Sequence, residues 1–141
     1  MKKTKKLLTV LMVMTILFSM FSVSTASAAN YINTFTVQVV KEPNAYNNLN
    51  NNCTVKMATS NAYSIGLTIY LEKEDPSRPN LFTAIKSQSY TGLPTSFNKS
   101  FLFSGSFDKG TYRYNVVAFI HDKSGNLLQS QGNKTDTFKL Q

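Results

Sequence analysis

The feature that most constrains the fold of this chain is an alternation of apolar and polar residues that begins near Tyr31. The clearest run extends from Tyr63 to Glu72, where every second residue is apolar. A period of two places neighbouring side chains on opposite faces of a strand, whereas an amphipathic helix repeats every ~3.6 residues. No helical repeat of useful length follows residue 29. The sequence therefore predicts strands with one buried face.

Seven strands are predicted from this alternation. The fourth is a weaker edge strand over 81–87, and the seventh is a last strand over 135–140. The inward residues of the other five strands are, in chain order, Phe35, Val37 and Val39; Cys53, Val55 and Met57; Tyr63, Ile65, Leu67, Ile69 and Leu71; Phe97, Lys99, Phe101 and Phe103; and Tyr112, Tyr114, Val116, Ala118 and Ile120. The other face of the sixth strand becomes apolar at Val117 and Phe119, which predicts a central strand covered on both sides there.

Three polar segments separate these strands. Residues 41–52 are rich in asparagine, which favours turns, and residues 72–80 form a charged turn in which two prolines exclude a central strand. Residues 122–126 form a third turn. Segment 126–131 either begins the last strand, ahead of a bulge at Gly132-Asn133, or pairs with it as a hairpin.

These strands leave no room for crossover helices in about 110 residues. The sequence therefore predicts an all-β domain, an antiparallel β-sandwich of about seven strands, over residues 29–141.

Residues 1–28 have the three parts of a secretory signal peptide. Four lysines precede an apolar run from Leu7 to Phe21, and Ala26-Ser27-Ala28 supplies small residues at the cleavage site. The alternative is a membrane anchor, but the run is shorter than the roughly 20 residues needed to span a bilayer. We expect cleavage after Ala28, or else after Ala29, and a secreted product without a membrane span. The lysine-rich leader, the asparagine-rich loop and the scarcity of cysteine are typical of Gram-positive bacteria.

The scattered distribution of the charges argues against nucleic acid as a partner. The whole chain carries +8, and removal of the four leader lysines leaves eleven basic against seven acidic residues, or +4. These charges are scattered, whereas a nucleic-acid interface needs a basic stripe. The remaining charge favours either loose attraction to an anionic envelope or simple solubility.

Cys53 is the only cysteine, so no disulfide can form within the chain. Stability must then come from the core. Cys53 is predicted to be a small buried hydrophobe on a strand; a free thiol or an intermolecular bridge is the alternative.

The stretch Asp108-Lys109-Gly110-Thr111-Tyr112 resembles the start of strand F in immunoglobulin-like and fibronectin-type domains. In those domains a tyrosine at this place bonds through its hydroxyl to the backbone upstream. The resemblance implies this role for Tyr112 and an immunoglobulin-like topology. It departs from antibody domains at Tyr114, which stands where they have a cysteine, and in the absence of tryptophan. Such sandwiches host many functions, so the resemblance implies no ligand.

No catalytic site, metal site or cofactor is predicted. His121 is the only histidine, and Asp122 next to it should point to the opposite face of the strand. Glu72, Glu74 and Asp75 could gather around a hard cation, but charged turns are usually just solvated.

Binding is the favoured activity. Tyr46, Tyr70 and Tyr90 fall in loops or on the polar side of predicted strands, where tyrosines can stack on sugars or anchor protein contacts; isolated surface aromatics are the alternative. We expect a secreted, non-enzymatic module that recognises a protein or a cell-envelope polymer. The alternative is a small secreted effector, such as an antimicrobial, toxin-like or membrane-active protein.

Overall fold

A computed structural model describes residues 29–40 and 52–140 of the chain, and this part contains strands and turns without a helix. The predicted leader (residues 1–28) and the asparagine-rich loop with Tyr46 lie outside the described residues. Within those residues, no helix has the length and apolar character needed to cross a membrane.

Eight strands in the described residues form two antiparallel sheets. They are β1 (Ile32–Val40), β2 (Asn52–Thr59), β3 (Ser64–Glu74), β4 (Phe82–Leu93), β5 (Ser96–Leu102), β6 (Gly110–His121), β7 (Leu127–Lys134) and β8 (Phe138–Leu140). One sheet has the order β1-β2-β5 and the other β4-β3-β6-β7, with β8 also paired to β6. The predicted all-β class and antiparallel pairing are confirmed.

A single core lies between the two sheets. Apart from Tyr63, it contains the inward residues predicted for β2, β3 and β6, nearly all of them fully buried. Aromatic rings connect the sheets: the ring centroids of Tyr90 and Phe101 lie 4.6 Å apart, and those of Phe103 and Tyr114 lie 5.2 Å apart. Edge and tilted ring contacts of this kind add to the burial of apolar area. The core therefore holds the sheets together without a covalent link.

Strand β6 is the centre of the larger sheet, as predicted, because it pairs with β3 on one side and with β7 and β8 on the other. Its inward residues alternate with half-buried outward ones along the whole strand. Val117 and Phe119 are only half-buried, so the prediction that this face is covered is wrong in the described part of the chain. Neighbouring side chains in the same sheet provide the partial burial.

The turn into β6 contains the hydrogen bond that the sequence predicts for Tyr112. The Tyr112 hydroxyl donates to the backbone oxygen of Asp108 at 2.5 Å, and its ring is fully buried. Gly110 begins the strand with φ at +154°, and a Cβ there would lie 3.0 Å from the Lys73 side chain. A side chain at Gly110 would therefore crowd Lys73 where the chain enters the strand.

Replacing Tyr112 with phenylalanine should lower the free energy of unfolding by about 1–2 kcal/mol, because the ring keeps its packing while a hydrogen bond is lost. Urea denaturation measures the change. Tyr70→Phe is the matched control on the outer face of the sheet and should change stability by less than about 0.5 kcal/mol. Equal stability of Tyr112→Phe and the unmodified chain would contradict a stabilising role for the hydroxyl.

Strands β7 and β8 together form one interrupted strand along a single edge of β6. The first alternative for segment 126–131 is therefore correct, but the interruption lies at residues 135–137 rather than at Gly132-Asn133. At the break, Thr135 N–H donates to the Tyr114 oxygen and the Thr135 hydroxyl accepts from the Tyr114 N–H, each at 3.0 Å. The threonine side chain thus replaces one rung of the ladder.

Two predictions about β3 are wrong. Tyr63 was assigned to the buried face, but it precedes the strand and is 62% exposed. The charged turn was assigned to residues 72–80, but β3 continues to Glu74 and the turn begins at Asp75. Charged residues remain in the strand because Glu72 is paired to β6, as described below.

Strand β4 lies at an edge, as predicted, but extends to Leu93 instead of Ser87. Its pairing with β3 shifts register twice, near Ile85 and near Gly92, where φ is +66°. Bulges of this kind bend an edge strand away from regular pairing.

The two edges of the smaller sheet are also protected. On β5, Lys99 shares the inward side with Phe101, and its ammonium group lies 5.6 Å from the centroid of that ring. On β1, two amide side chains of β7 bond to the backbone: Gln129 Oε1 accepts from Tyr31 N–H and Asn133 Nδ2 donates to the Phe35 oxygen, each at 2.8 Å. An inward charge on an edge strand and a covered edge both discourage pairing with another chain.

Candidate functional site

The outer face of the larger sheet holds the most distinctive surface of the described residues. The outward side chains from the row of Tyr70 to the row of His121, both rows included, are called the open face. They are Ser64, Gly66, Thr68 and Tyr70 of β3; Ser87 and Ser89 of β4; Asn115, Val117, Phe119 and His121 of β6; and Leu127, Ser130, Gly132 and Lys134 of β7. These residues share a face because partners directly opposite in an antiparallel ladder point the same way.

An apolar row lies along the middle of the open face, between smaller neighbours. Phe119 stands between Gly66 and Ser130, and Val117 stands between Thr68 and Gly132. Both glycines are strand-interior residues without a positive φ. Because glycine has no side chain, the row on β6 is raised above its flanks.

The imidazole of His121 lies over Gly66. A Cβ built on Gly66 would be 3.7 Å from His121 Cε1, 3.7 Å from Phe119 Cβ and 3.6 Å from the Tyr90 oxygen. These are ordinary van der Waals distances. The histidine and the phenylalanine thus cover the backbone of Gly66, which is buried, as aromatic neighbours do in designed sheets. We call the side chains of Phe119 and His121 the platform.

Small hydroxyl groups border the platform on the β4 side. The hydroxyls of Thr68 and Ser89 are hydrogen-bonded to each other at 3.1 Å and are exposed. Ser87 stands opposite Tyr70 in the next row. A hydroxyl has one donor and two acceptor positions, so this pair keeps capacity for a further partner.

Charge is confined to one end of the outer face. Glu72 accepts from Arg113 Nε at 2.6 Å and from Asn115 Nδ2 at 2.8 Å, and the Arg113 guanidinium lies 3.9 Å from the centroid of the Phe82 ring. Glu72 is 8% exposed. A charge this buried needs a partner, and Arg113 supplies it. The charges of Glu72 and Arg113 therefore neutralise each other beside the open face.

The three tyrosines predicted to bind have different positions. Tyr70 lies half-buried on the open face. Tyr90, predicted to lie in a loop or on the polar side of a strand, is within β4 on the inward side: its ring packs on Phe101 and its hydroxyl donates to Gln88 Oε1 at 2.7 Å. Tyr46 lies outside the described residues. The structure therefore does not bring Tyr70 and Tyr90 together on one surface.

Sequence reasoning missed Val117, Phe119 and the two glycines as surface features. The second face of β6 becomes apolar at Val117 and Phe119, and from this pattern the sequence predicts that the face is covered. The alternation alone could not distinguish a fully covered face from a half-buried apolar row.

His121 and Asp122 do not form an acid–base pair. The Asp122 carboxylate accepts hydrogen bonds from Ser124 N–H and from both nitrogens of Asn126, at 2.8 to 2.9 Å. These bonds, first of all that from the Asn126 side chain, hold the pKa of Asp122 below its usual range. The carboxylate is thus committed to its own turn.

The acidic residues near the β3–β4 turn are also committed to local bonds. Asp75 accepts from Ser77 N–H and Arg78 Nε, and Glu74 accepts from Asn80 N–H. In the described part of the chain, no three potential ligands gather in a way that could hold a metal ion.

Cys53 is fully buried and free, as predicted for a small core residue. Burial raises the pKa of its thiol from 9.0 to about 12. Because the thiolate is the reactive form, the side chain is inert at neutral pH. An intermolecular bridge through Cys53 would require the core to open.

Two depressions lie elsewhere on the described surface. One, of about 400 Å³, is lined by Thr34, Thr36, Gln38, Thr54, Lys56 and Asn98. The other, of about 430 Å³, is lined by Val37, Gln38, Val39, Lys134 and Asp136. Neither coincides with the open face. The first is lined by polar residues and the second by two valines among polar residues, and neither is lined by an aromatic ring on which a ligand could stack.

Comparison with known proteins adds no assignment. No protein-family model, no curated protein and no solved structure matches this chain.

Proposed function

We propose that this chain is an exported, non-enzymatic binding module that recognises a protein or a cell-envelope polymer through the open face. The observation that carries the proposal is the half-buried apolar row of Val117 and Phe119 on an outer face, flanked directly by glycine, threonine and serine. Apolar residues on an outer face, set among polar groups, are typical of interaction sites.

The fold proposed for this module is immunoglobulin-like. With β6 as strand F, the order β1-β2-β5 corresponds to strands A, B and E, and β3-β6-β7 to strands C, F and G. Strand β4 then occupies the place of C′, beside C. The bond from the Tyr112 hydroxyl to Asp108 supports this assignment. Modules of this architecture carry binding surfaces on one sheet or at one end, and the function depends on the site.

Export is proposed from the sequence of residues 1–28, which combines a basic start, an apolar run and small residues at the cleavage position. The absence of a disulfide does not oppose export, because the buried core connects both sheets. The acids that could serve catalysis are tied into turns or paired with arginine, which supports binding over chemistry.

The proposal predicts that the exported protein binds envelope material through Tyr70 and Phe119. The full chain is expressed in a Gram-positive host, collected from the medium and mixed with a crude envelope fraction that retains proteins and polymers. We expect co-sedimentation, and at least a tenfold loss of affinity in Tyr70→Ala and Phe119→Ala, because hot-spot aromatics commonly contribute 2 kcal/mol or more (about 30-fold). Sedimentation at graded protein concentration measures the affinity.

Thr36→Ala is the matched control, because Thr36 is exposed on the outer face of the other sheet. Its affinity should equal that of the unmodified chain. Mass spectrometry of the collected protein should place its first residue at Ala29 or Asn30. Retention of the leader would refute export, and equal sedimentation of all variants would refute the open face as the site.

A further inference from the structure

We infer that the ligand of the open face is an uncharged sugar polymer, bound with its rings against Phe119, Val117 and His121. This inference rests on the proposed function and names the chemical class of its ligand.

The electrostatics of the open face favour a neutral ligand. Among its residues, Lys134 at one border is the only Asp, Glu, Lys or Arg. The nearest buried charges, Glu72 and Arg113, satisfy each other at 2.6 Å. Lys134 is exposed at the border, opposite Asn115. Anionic polymers are usually held by several basic groups, and the middle of the open face offers none.

The chemistry of the face matches the two sides of a pyranose ring. The C–H groups of a sugar ring pack on the face of an aromatic side chain, whose π-system is negative. Sugar hydroxyls need both donors and acceptors, and the Thr68–Ser89 pair supplies both. Val117 lies opposite Thr68 in the row of this pair, and Phe119 lies one row further along, opposite Gly66. An apolar platform with adjacent hydroxyls therefore suits a sugar better than a purely apolar surface.

Gly132 is the strongest sign that the face is kept clear. Glycine weakens a strand, and in strand interiors it often marks close approach of a ligand or of another backbone. Gly132 needs no special φ, its ladder with β6 is regular there, and the nearest atom to an added Cβ, the Val116 oxygen, is 3.9 Å away. Nothing in the fold therefore requires glycine at this position. Gly66 has a second explanation, since it lies opposite the β4 bulge.

A substitution at Gly132 separates binding from stability. Gly132→Thr adds a β-branched side chain, which strands accept well, and the added groups would stand beside Val117. We expect an unchanged or higher melting temperature together with at least a tenfold loss of affinity. A position that served only the fold would not give this combination.

The experiment uses the exported full chain, insoluble chitin and cellulose as two neutral polymers, and protease-treated envelope material. We expect retention on at least one of the two polymers, equal in 20 mM and 500 mM NaCl because no ion pair is involved. Phe119→Ala and Gly132→Thr should abolish retention, and Thr36→Ala should not.

Failure of both polymers to retain the protein, retention that falls with salt, or full retention of Gly132→Thr would overturn the inference. Loss of envelope binding after protease treatment would identify a protein partner. In that case the sugar ligand is excluded, while dependence on Tyr70 would still support the proposed function. Envelope binding that is unaffected by every substitution on the open face would refute both the sugar ligand and the proposed function.

Discussion

Stability should fall steeply as the pH rises above about 9, with a loss on the order of 4 kcal/mol from Cys53 alone by pH 12. Burial raises the pKa of this thiol from 9.0 to about 12. The unfolded chain therefore releases the proton at lower pH than the folded chain does. The folded state binds more protons in this window, so the free energy of unfolding decreases with pH. Each unit of pKa difference corresponds to about 1.4 kcal/mol.

Buried tyrosines should extend the same effect to higher pH. Burial raises the pKa of Tyr114 and of Tyr112 above the ordinary value of 10.0. The stability that they contribute is fully present below pH 10 and is lost as the pH rises toward their folded values. Urea denaturation at intervals from pH 7 to pH 11 measures the sum.

Cys53→Ala isolates the thiol. This variant should be less stable at neutral pH, because a fully buried side chain is shortened, but its stability should be flat between pH 8 and pH 10. The unmodified chain should already decline over that interval. A decline of the same size in both proteins would mean that the thiol is not responsible.

Phe103→Ala should destabilise the fold by about 3–5 kcal/mol, the range typical of removing a buried phenylalanine. Phe103 is fully buried, directly follows β5 and lies against Tyr114 of the facing sheet, with ring centroids 5.2 Å apart. Its loss would leave a cavity between the sheets, where no disulfide limits separation. In thermal unfolding this corresponds to a decrease of at least about 12 °C.

Leu102→Ala is the matched control, one residue earlier on the opposite side of the strand. Leu102 is 54% exposed, so the substitution should change stability by less than about 0.5 kcal/mol. If the two variants are equally stable, the register of β5 against β2 is wrong, because a slip of one residue would exchange the two sides.

The strands with a buried face and a polar face could be predicted from sequence because each residue reports its own environment. The alternation from Tyr112 to Ile120 matches the burial of β6 at every position. The turn from Asp122 to Asn126 was likewise readable, since its aspartate satisfies the turn by local bonds.

Edge strands and side-chain roles could not be predicted in the same way. The second half of β4 consists mainly of polar residues, because an edge strand needs little apolar area. The predicted edge strand ends at Ser87 and does not include Tyr90, and only the pairing of Tyr90 opposite the buried Leu67 shows why its ring points inward. The roles of Gln129 and Asn133 depend on contacts 98 residues apart in sequence.

The open face was partly visible in the sequence. Tyr70 was recognised from the polar side of β3, but the two glycines beside the β6 row belong to different strands, and only the register brings them to one surface. A single sequence does not contain that register.

The treatment of the sheet edges determines how this protein can act at a surface. Lys99 inside the β5 edge, two irregularities along β4 and the amide contacts over β1 all hinder one molecule from extending the sheet of another. At these three edges, one copy should therefore not extend the sheet of another. Tight attachment to a repetitive target would then have to come from many copies spaced along it, each contributing a single weak contact, and coverage should increase with target length without cooperativity.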